Sequence, residues 1–301
     1  MKKIVFTCVL LLIIAYSISF PEITINASKN GLKLWFEQIL PSLLPFTILS
    51  SVLINSNYIK SFKKNENIIA IMLTLCCGFI FGFPIGAKLS SDFYKDKLLT
   101  ENQACILAIT TNNFSPMYIC GFALTQLFTS DNYITITYIL LYLTPLVIAT
   151  IALIKYEKIN SNKKTTSSFI IDMNIIDVGI INGFKSLIKI CGYIILFSII
   201  TEILTNTLIY ASLNTKTGIT LLLSNLEISN GVRILSKLKI SERIKYIFAI
   251  QTLSFGGLSG FAQSCSILAD SGLSFHKYII GKVLLSLLLT ALSVLYVFII
   301  R

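Results

Sequence analysis

Two apolar runs in this chain break at polar, helix-disrupting segments that read as copies of one another. One is Cys105-Ile-Leu-Ala-Ile-Thr-Thr-Asn-Asn-Phe-Ser-Pro116 and the other is Tyr246-Ile-Phe-Ala-Ile-Gln-Thr-Leu-Ser-Phe-Gly-Gly257. Aligned without gaps, Ala108, Ile109, Thr111 and Phe114 fall on Ala249, Ile250, Thr252 and Phe255, and each run then stops at a Ser-Pro or a Gly-Gly. Hydrocarbon does not solvate unpaired backbone or amide groups. Irregular polar backbone at membrane depth therefore persists only where protein or a water-filled cavity covers it. Paired interruptions in the two halves of a membrane protein point to a solute site.

The remainder of the chain has membrane character. Of its 301 residues, 54% are hydrophobic and 13% charged, against roughly 45–50% and 25% in a soluble domain. Several runs reach the roughly 20 apolar residues that a bilayer demands. The net charge of +11 comes from Lys and Arg in short loops between those runs, which fits leaflet anchoring and not nucleic-acid binding. The seven cysteines lie almost all within apolar runs and show no C-x-x-C spacing, so neither a disulfide framework nor a zinc site is expected. His276 has no carboxylate or cysteine near it in sequence, and no Gly-rich loop leads into a Lys-Ser/Thr pair. The expectation is a non-enzyme with no cofactor and no metal.

The pattern along the chain predicts an all-α polytopic membrane protein of two repeats, with broken or re-entrant helices and about eight spanning segments. Residues 1–30 hold a first apolar run, which reads as a signal peptide or, preferably, as a spanning helix over Ile4–Phe20. Repeat 1 covers 31–155, a polar linker covers 156–179, and repeat 2 covers 180–300. Gly31–Leu40 reads as a short interfacial helix carrying Trp35. Ile68–Phe81 is short for a crossing and, with Gly82-Phe-Pro-Ile-Gly-Ala-Lys88 after it, suits half of a re-entrant hairpin. In the second half Ile219–Leu223 leads into Ser224-Asn-Leu-Glu-Ile-Ser-Asn-Gly231, so that Gly231 and Arg233 match Gly86 and Lys88. A cytoplasmic amino terminus, with Ile68–Lys97 a hairpin that does not cross, makes the repeats inverted and puts Lys60–Lys64, Lys88–Lys97 and Lys155–Lys164 inside. The cluster Lys237–Lys245 then falls outside, against the charge rule.

Within this frame Glu227 is the acid expected to bind or couple, because an ionisable group at membrane depth usually faces a cavity and has a partner. Lys88 and Arg233 are its candidate charge partners; snorkelling at headgroup depth is the alternative for all three. Asn112, Asn113, Ser115, Asn230, Gln251, Ser254 and Gln263 offer neutral donors and acceptors suited to uncharged polar groups such as sugar hydroxyls or base edges. Hydrogen bonding between helices is the competing use. Gly82, Pro84, Gly86, Pro116, Gly231, Gly256 and Gly257 are the expected backbone and hinge positions.

Gly82-Phe-Pro-Ile-Gly-Ala-Lys-Leu89, Leu99-Thr-Glu101 and Thr111-Asn-Asn-Phe-Ser-Pro116 together resemble the first-half signature of the YlbJ-type sporulation integral membrane proteins. Leu226-Glu-Ile-Ser-Asn-Gly231 and Ser254-Phe-Gly-Gly-Leu-Ser-Gly260 with Gln263 resemble the second half. Phe83 and Ile85 depart from that pattern, where a Tyr and a small polar residue are expected. The resemblance covers about residues 31–300 and extends to the nucleoside-recognition, or Gate, group. It implies a multi-pass protein in the cytoplasmic membrane of an endospore-forming bacterium, with a transporter-like fold. The expected function is a secondary transporter or gate for a small polar solute, a nucleoside-like one included, coupled to Na⁺ or H⁺. The alternative is a non-transporting scaffold that engages spore-envelope proteins during cortex assembly.

Overall fold

A computed structural model describes residues 2–59, 65–155, 172–210 and 223–300. The basic cluster at 60–64, the linker at 156–171 and the apolar run at 219–222 lie outside the described residues. Every regular element among the described residues is helical.

Helix α1 (Lys2–Ser19) stops ahead of Pro21, and the chain turns by 107° into α2 (Pro21–Leu34). Proline at the first helical position forfeits only an N–H that has no intrahelical partner there, so α2 starts without loss. The short interfacial helix expected at 31–40 is not separate. A π-turn, Trp35–Ile39, runs straight on into α3 (Leu40–Asn55). Pro41 lacks the N–H that a regular ladder requires, and the wider turn before it absorbs the irregularity. Trp35 is tied down by a bond from its indole Nε1 to the Leu187 carbonyl, at 2.9 Å.

The first half continues with α4 (Glu66–Phe81), α5 (Ile85–Lys95) and α6 (Glu101–Thr111). A helical segment over 116–127, here α7, follows, and then the long helix α8 (Asp131–Ile154). Thr100 and Gln103 form a reciprocal capping box that starts α6. The second half has α9 (Met173–Tyr210), which begins inside the stretch read as linker. After it come α10 (Ile228–Lys237), α11 (Glu242–Phe255), α12 (Gly257–Ala269) and α13 (Phe275–Leu295). Ser241 and Ser274 cap the last long elements, α11 and α13.

Three helices, Asp131–Ile154, Met173–Asn206 and Phe275–Ile299, are long and apolar enough to cross a membrane, and a fourth crossing is reached if the bent α1–α2 pair is one span. Their outward faces are apolar as well: Ile151, Leu287 and Phe298 are exposed. Such faces fit hydrocarbon and would be costly in water. The protein is an integral membrane protein, all-helical among the described residues. Helices α6 and α7, like α11 and α12, are each too short to cross alone because the polar segments divide them.

Packing distributes each half over both cores. Ile85, Leu89 and Phe93 of α5 pack with Leu107 of α6 but also with Phe261 of α12 and Tyr278 of α13. Reciprocally, Ile228, Val232 and Leu235 of α10 pack with Tyr246 of α11 and with Ile119 and Leu127 of α7. A third cluster joins Leu34 and Leu43 to Leu187, Ile190 and Ile194, so α9 lies against α2 and α3.

Candidate functional site

The two breaks expected from sequence are real interruptions. Helix α6 ends at Thr111, and residues Asn112–Ser115 are non-helical before Pro116 starts α7. Helix α11 ends at Phe255, its C-cap Gly256 has a left-handed φ of 86°, and α12 starts at once. A second non-helical segment pairs with each break through main-chain bonds. Phe83 N donates to the Asn113 carbonyl. In the other half Leu258 N and Ser259 N donate to the Asn225 and Leu226 carbonyls, at 2.8 and 2.9 Å. The freed backbone of each break is thus partly satisfied by its neighbour, as burial in an apolar medium requires.

Gly86 and Gly231 make these close approaches feasible. A Cβ on Gly86 would stand 2.5 Å from Thr111 Oγ1 and 2.7 Å from the Thr111 carbonyl oxygen. A Cβ on Gly231 would collide with the Ser224 carbonyl. Gly82 and Gly257 both have φ of 72°. Pro84 stands at the N-cap of α5, and Pro116 opens α7.

Asn112 and Asn113 face inward and are nearly inaccessible. Asn112 Nδ2 donates to Ser264 Oγ at 3.0 Å and to Tyr278 Oη at 2.9 Å. Asn113 Nδ2 donates to the Thr110 and Leu141 carbonyls, at 2.7 and 3.2 Å. Lys282, which sequence reading passed over, completes the cluster. Its Nζ donates to the Asn112 carbonyl at 2.9 Å and to Asn113 Oδ1 at 2.7 Å, and only 2% of the residue is exposed. The available signal was a lone lysine inside the apolar run Tyr278–Ile300, and an ionisable residue in such a run is a functional candidate by default.

In the other half Gln251 and Asn225 exchange amide bonds, at 3.0 and 3.2 Å. Ser254 Oγ lies 2.9 Å from Ser286 Oγ. Asn230 Nδ2 reaches Ser198 Oγ at 3.3 Å. These polar groups secure the break and the helices around it.

Glu227 is buried at the N-cap of α10, and its two carboxylate oxygens accept from Ser229 N at 3.0 Å and Asn230 N at 2.8 Å. Two backbone donors at a helix N-terminus are a favourable setting for a carboxylate. Neither expected cation is bonded to it. Lys88 pairs with Asp92 on its own helix at 3.2 Å, and Arg233 is exposed.

Two adjoining cavities arrange the remaining candidates. An outer one of about 320 Å³ is charged, with Lys88, Asp92, Lys95, Asp96, Lys189 and Asp270 in its walls. An inner one of about 60 Å³ is lined by Ser115, Glu227, Ser229, Ser259 and Gln263 among apolar side chains including Phe83, Phe114 and Tyr118. Gln263 and Ile190 belong to both. Gln263 Nε2 donates to Ser259 Oγ at 3.1 Å, while its buried Oε1 has no hydrogen-bond partner. Of the expected binding residues the inner cavity therefore gathers Ser115, Glu227 and Gln263. The amides Asn112, Asn113 and Gln251 and the hydroxyl of Ser254 line neither cavity and bond to residues at the breaks.

No protein-family model matches the chain, and no solved structure matches it. It is 26% identical over 324 residues to the sporulation integral membrane protein YlbJ of Bacillus subtilis (strain 168), across 91% of this chain and 78% of that protein. Beyond the residues that carried the resemblance, the similarity to this YlbJ-type sporulation integral membrane protein thus runs through nearly the whole sequence.

Proposed function

We infer that this protein acts in spore formation as a secondary transporter or gate, moving a small polar solute across the cytoplasmic membrane of an endospore-forming bacterium. One observation carries the reading. Gln263, buried and with its carbonyl oxygen unpartnered, stands in the wall shared by a charged outer cavity and a small inner one. A buried carbonyl without a donor is costly, on the order of 1–3 kcal/mol. A solute donor arriving there would relieve that cost.

Two inverted repeats and about eight crossings, counting broken pairs as single spans, fit the exchange of partners between halves. Helix α5 packs on α12, and α10 packs on α7. Alternating access then works by moving one group of helices against another around a fixed central site. The name of the Bacillus subtilis relative supports the link to sporulation. A nucleoside-like solute and kinship with the Gate group rest on the sequence motifs. No catalytic step and no cofactor form part of this reading, and the scaffold role has no specific observation in its favour.

The test is a thermal-shift screen of the purified chain in potassium medium, against nucleosides, nucleobases, amino sugars and dicarboxylates. A ligand present at a hundredfold excess over Kd stabilises by about 2.7 kcal/mol. The expected result is a shift for one solute class that Gln263→Leu removes. A shift that survives both Gln263→Leu and Glu227→Gln would place binding elsewhere and overturn the assignment of the site.

A further inference from the structure

Lys282 is, among the described residues, the one buried Lys or Arg side chain, and the solute site does not use it. It lies on α13 inside a candidate span, 2% exposed, and among the described residues its ammonium meets no carboxylate. A buried charge without a counter-ion is expensive, so its surroundings must supply compensation. They do so with neutral oxygens: the Asn112 carbonyl and Asn113 Oδ1, at 2.9 and 2.7 Å. Asn112 is the C-cap of α6, where the last carbonyls of the helix lack intrahelical donors and carry the negative end of its dipole. Close by, Asn112 Oδ1 is buried and unpartnered, while Ser264 Oγ and Tyr278 Oη gather on the amide nitrogen of the same side chain.

A cluster of neutral oxygens at the unwound C-terminal end of a half-helix is the setting in which secondary transporters coordinate a sodium ion. Here an ammonium on a fixed tether already fills it. We propose that the Lys282 ammonium is a built-in cation, occupying the position of a coupling sodium ion at the first break, so that this protein neither binds nor requires Na⁺. The proposal rests on the transport reading and deepens it by removing one of the two coupling ions. A second positive charge a few ångströms away in so poorly polarisable an environment would be strongly repelled. The lysine thereby holds Asn112 and Asn113 in the arrangement that a bound ion would otherwise impose.

The experiment compares thermal stability of the full-length chain in detergent in NaCl and in KCl at equal ionic strength. Sodium itself is the probe. Wild type is expected to melt at the same temperature in both salts. Lys282→Met removes the ammonium and keeps a long side chain; it should melt lower in KCl and regain several degrees in NaCl. Should that variant fail to fold, Lys282→Gln takes its place, and the wild-type measurement decides independently. A wild type stabilised by Na⁺ over K⁺ overturns the proposal, as does a folded Lys282 variant indifferent to the two salts. Either result leaves the solute screen in potassium medium untouched, so this inference and the transport reading fail separately.

Discussion

Lys282 and Ser286 lie one turn apart on α13, and each is bonded to a different break. Lys282 donates to Asn112 and Asn113 of the first, while Ser286 Oγ lies 2.9 Å from Ser254 Oγ at the second. Residues four apart share a helix face, so a single face of the last long helix serves both interruptions. Much of the polar chemistry at the breaks is therefore structural, and the predictions separate residues that hold the breaks from those that face the inner cavity.

Asn113 belongs to the first group. Asn113→Ala removes an acceptor of the buried ammonium and the donor to the Thr110 and Leu141 carbonyls together. The expected loss is at least about 1–3 kcal/mol, read as a lower melting temperature. Asn206, which is half-buried and among the described residues bonds Glu202 four residues away, provides the control; Asn206→Ala should stay within about 0.5 kcal/mol of wild type.

Gly86→Ala and Gly231→Ala should each destabilise by about 1–3 kcal/mol, the usual cost of overpacking. In both cases the added carbon meets backbone or a β-branched side chain that has nowhere to go. Gly192, inside α9, has nothing within 4 Å of an added Cβ. There the same change should be neutral or stabilise by up to about 1 kcal/mol. Equal melting temperatures for all three variants would refute the close packing of the breaks.

Gln263→Leu deletes a buried carbonyl with no partner but also the bond from Nε2 to Ser259 Oγ; the two changes oppose each other, so stability is expected to move by less than about 1 kcal/mol. Function, scored as solute-induced stabilisation or as spore yield, should be lost. Full function with unchanged stability would remove Gln263 from the site.

Glu227→Gln replaces one of the two oxygens that accept backbone N–H groups at the start of α10 with a donor. A weakened cap costs about 0.5–2 kcal/mol. This variant should therefore lower the melting temperature as well as function, a double effect that distinguishes it from Gln263→Leu in the same assay.

The breaks were legible in sequence because amides, hydroxyls and helix-breaking residues are conspicuous against an apolar run. Gly86 and Gly231 were found for the same reason, through their matching places after a short apolar segment. What bonds to what was not legible. The pairing of Phe83 with Asn113, or of Leu258 with Asn225, depends on how distant segments meet, and the residue types do not announce it. Glu227 takes its hydrogen bonds from backbone N–H groups at the start of its own helix, with Arg233 near enough to act on it through its charge, while Lys88 pairs with Asp92. The π-turn at Trp35–Ile39 inserts one extra residue per turn without altering hydrophobic character, which hid the continuity of α2 and α3.

The main-chain bonds between the segment before α5 and the first break, and between the segment before α10 and the second, act as cross-braces. Because they join backbone to backbone, neither hairpin tip can swing away from its break as a hinged flap would without stranding peptide groups in an apolar interior. Each braced tip must travel with its break as a block. The inner cavity is also lined by Ile190 and Ile194 of α9, which packs with α2 and α3. On the proposed transport reading, opening this cavity requires slip along that seam, and the side chains that set its friction are the isoleucines of α9.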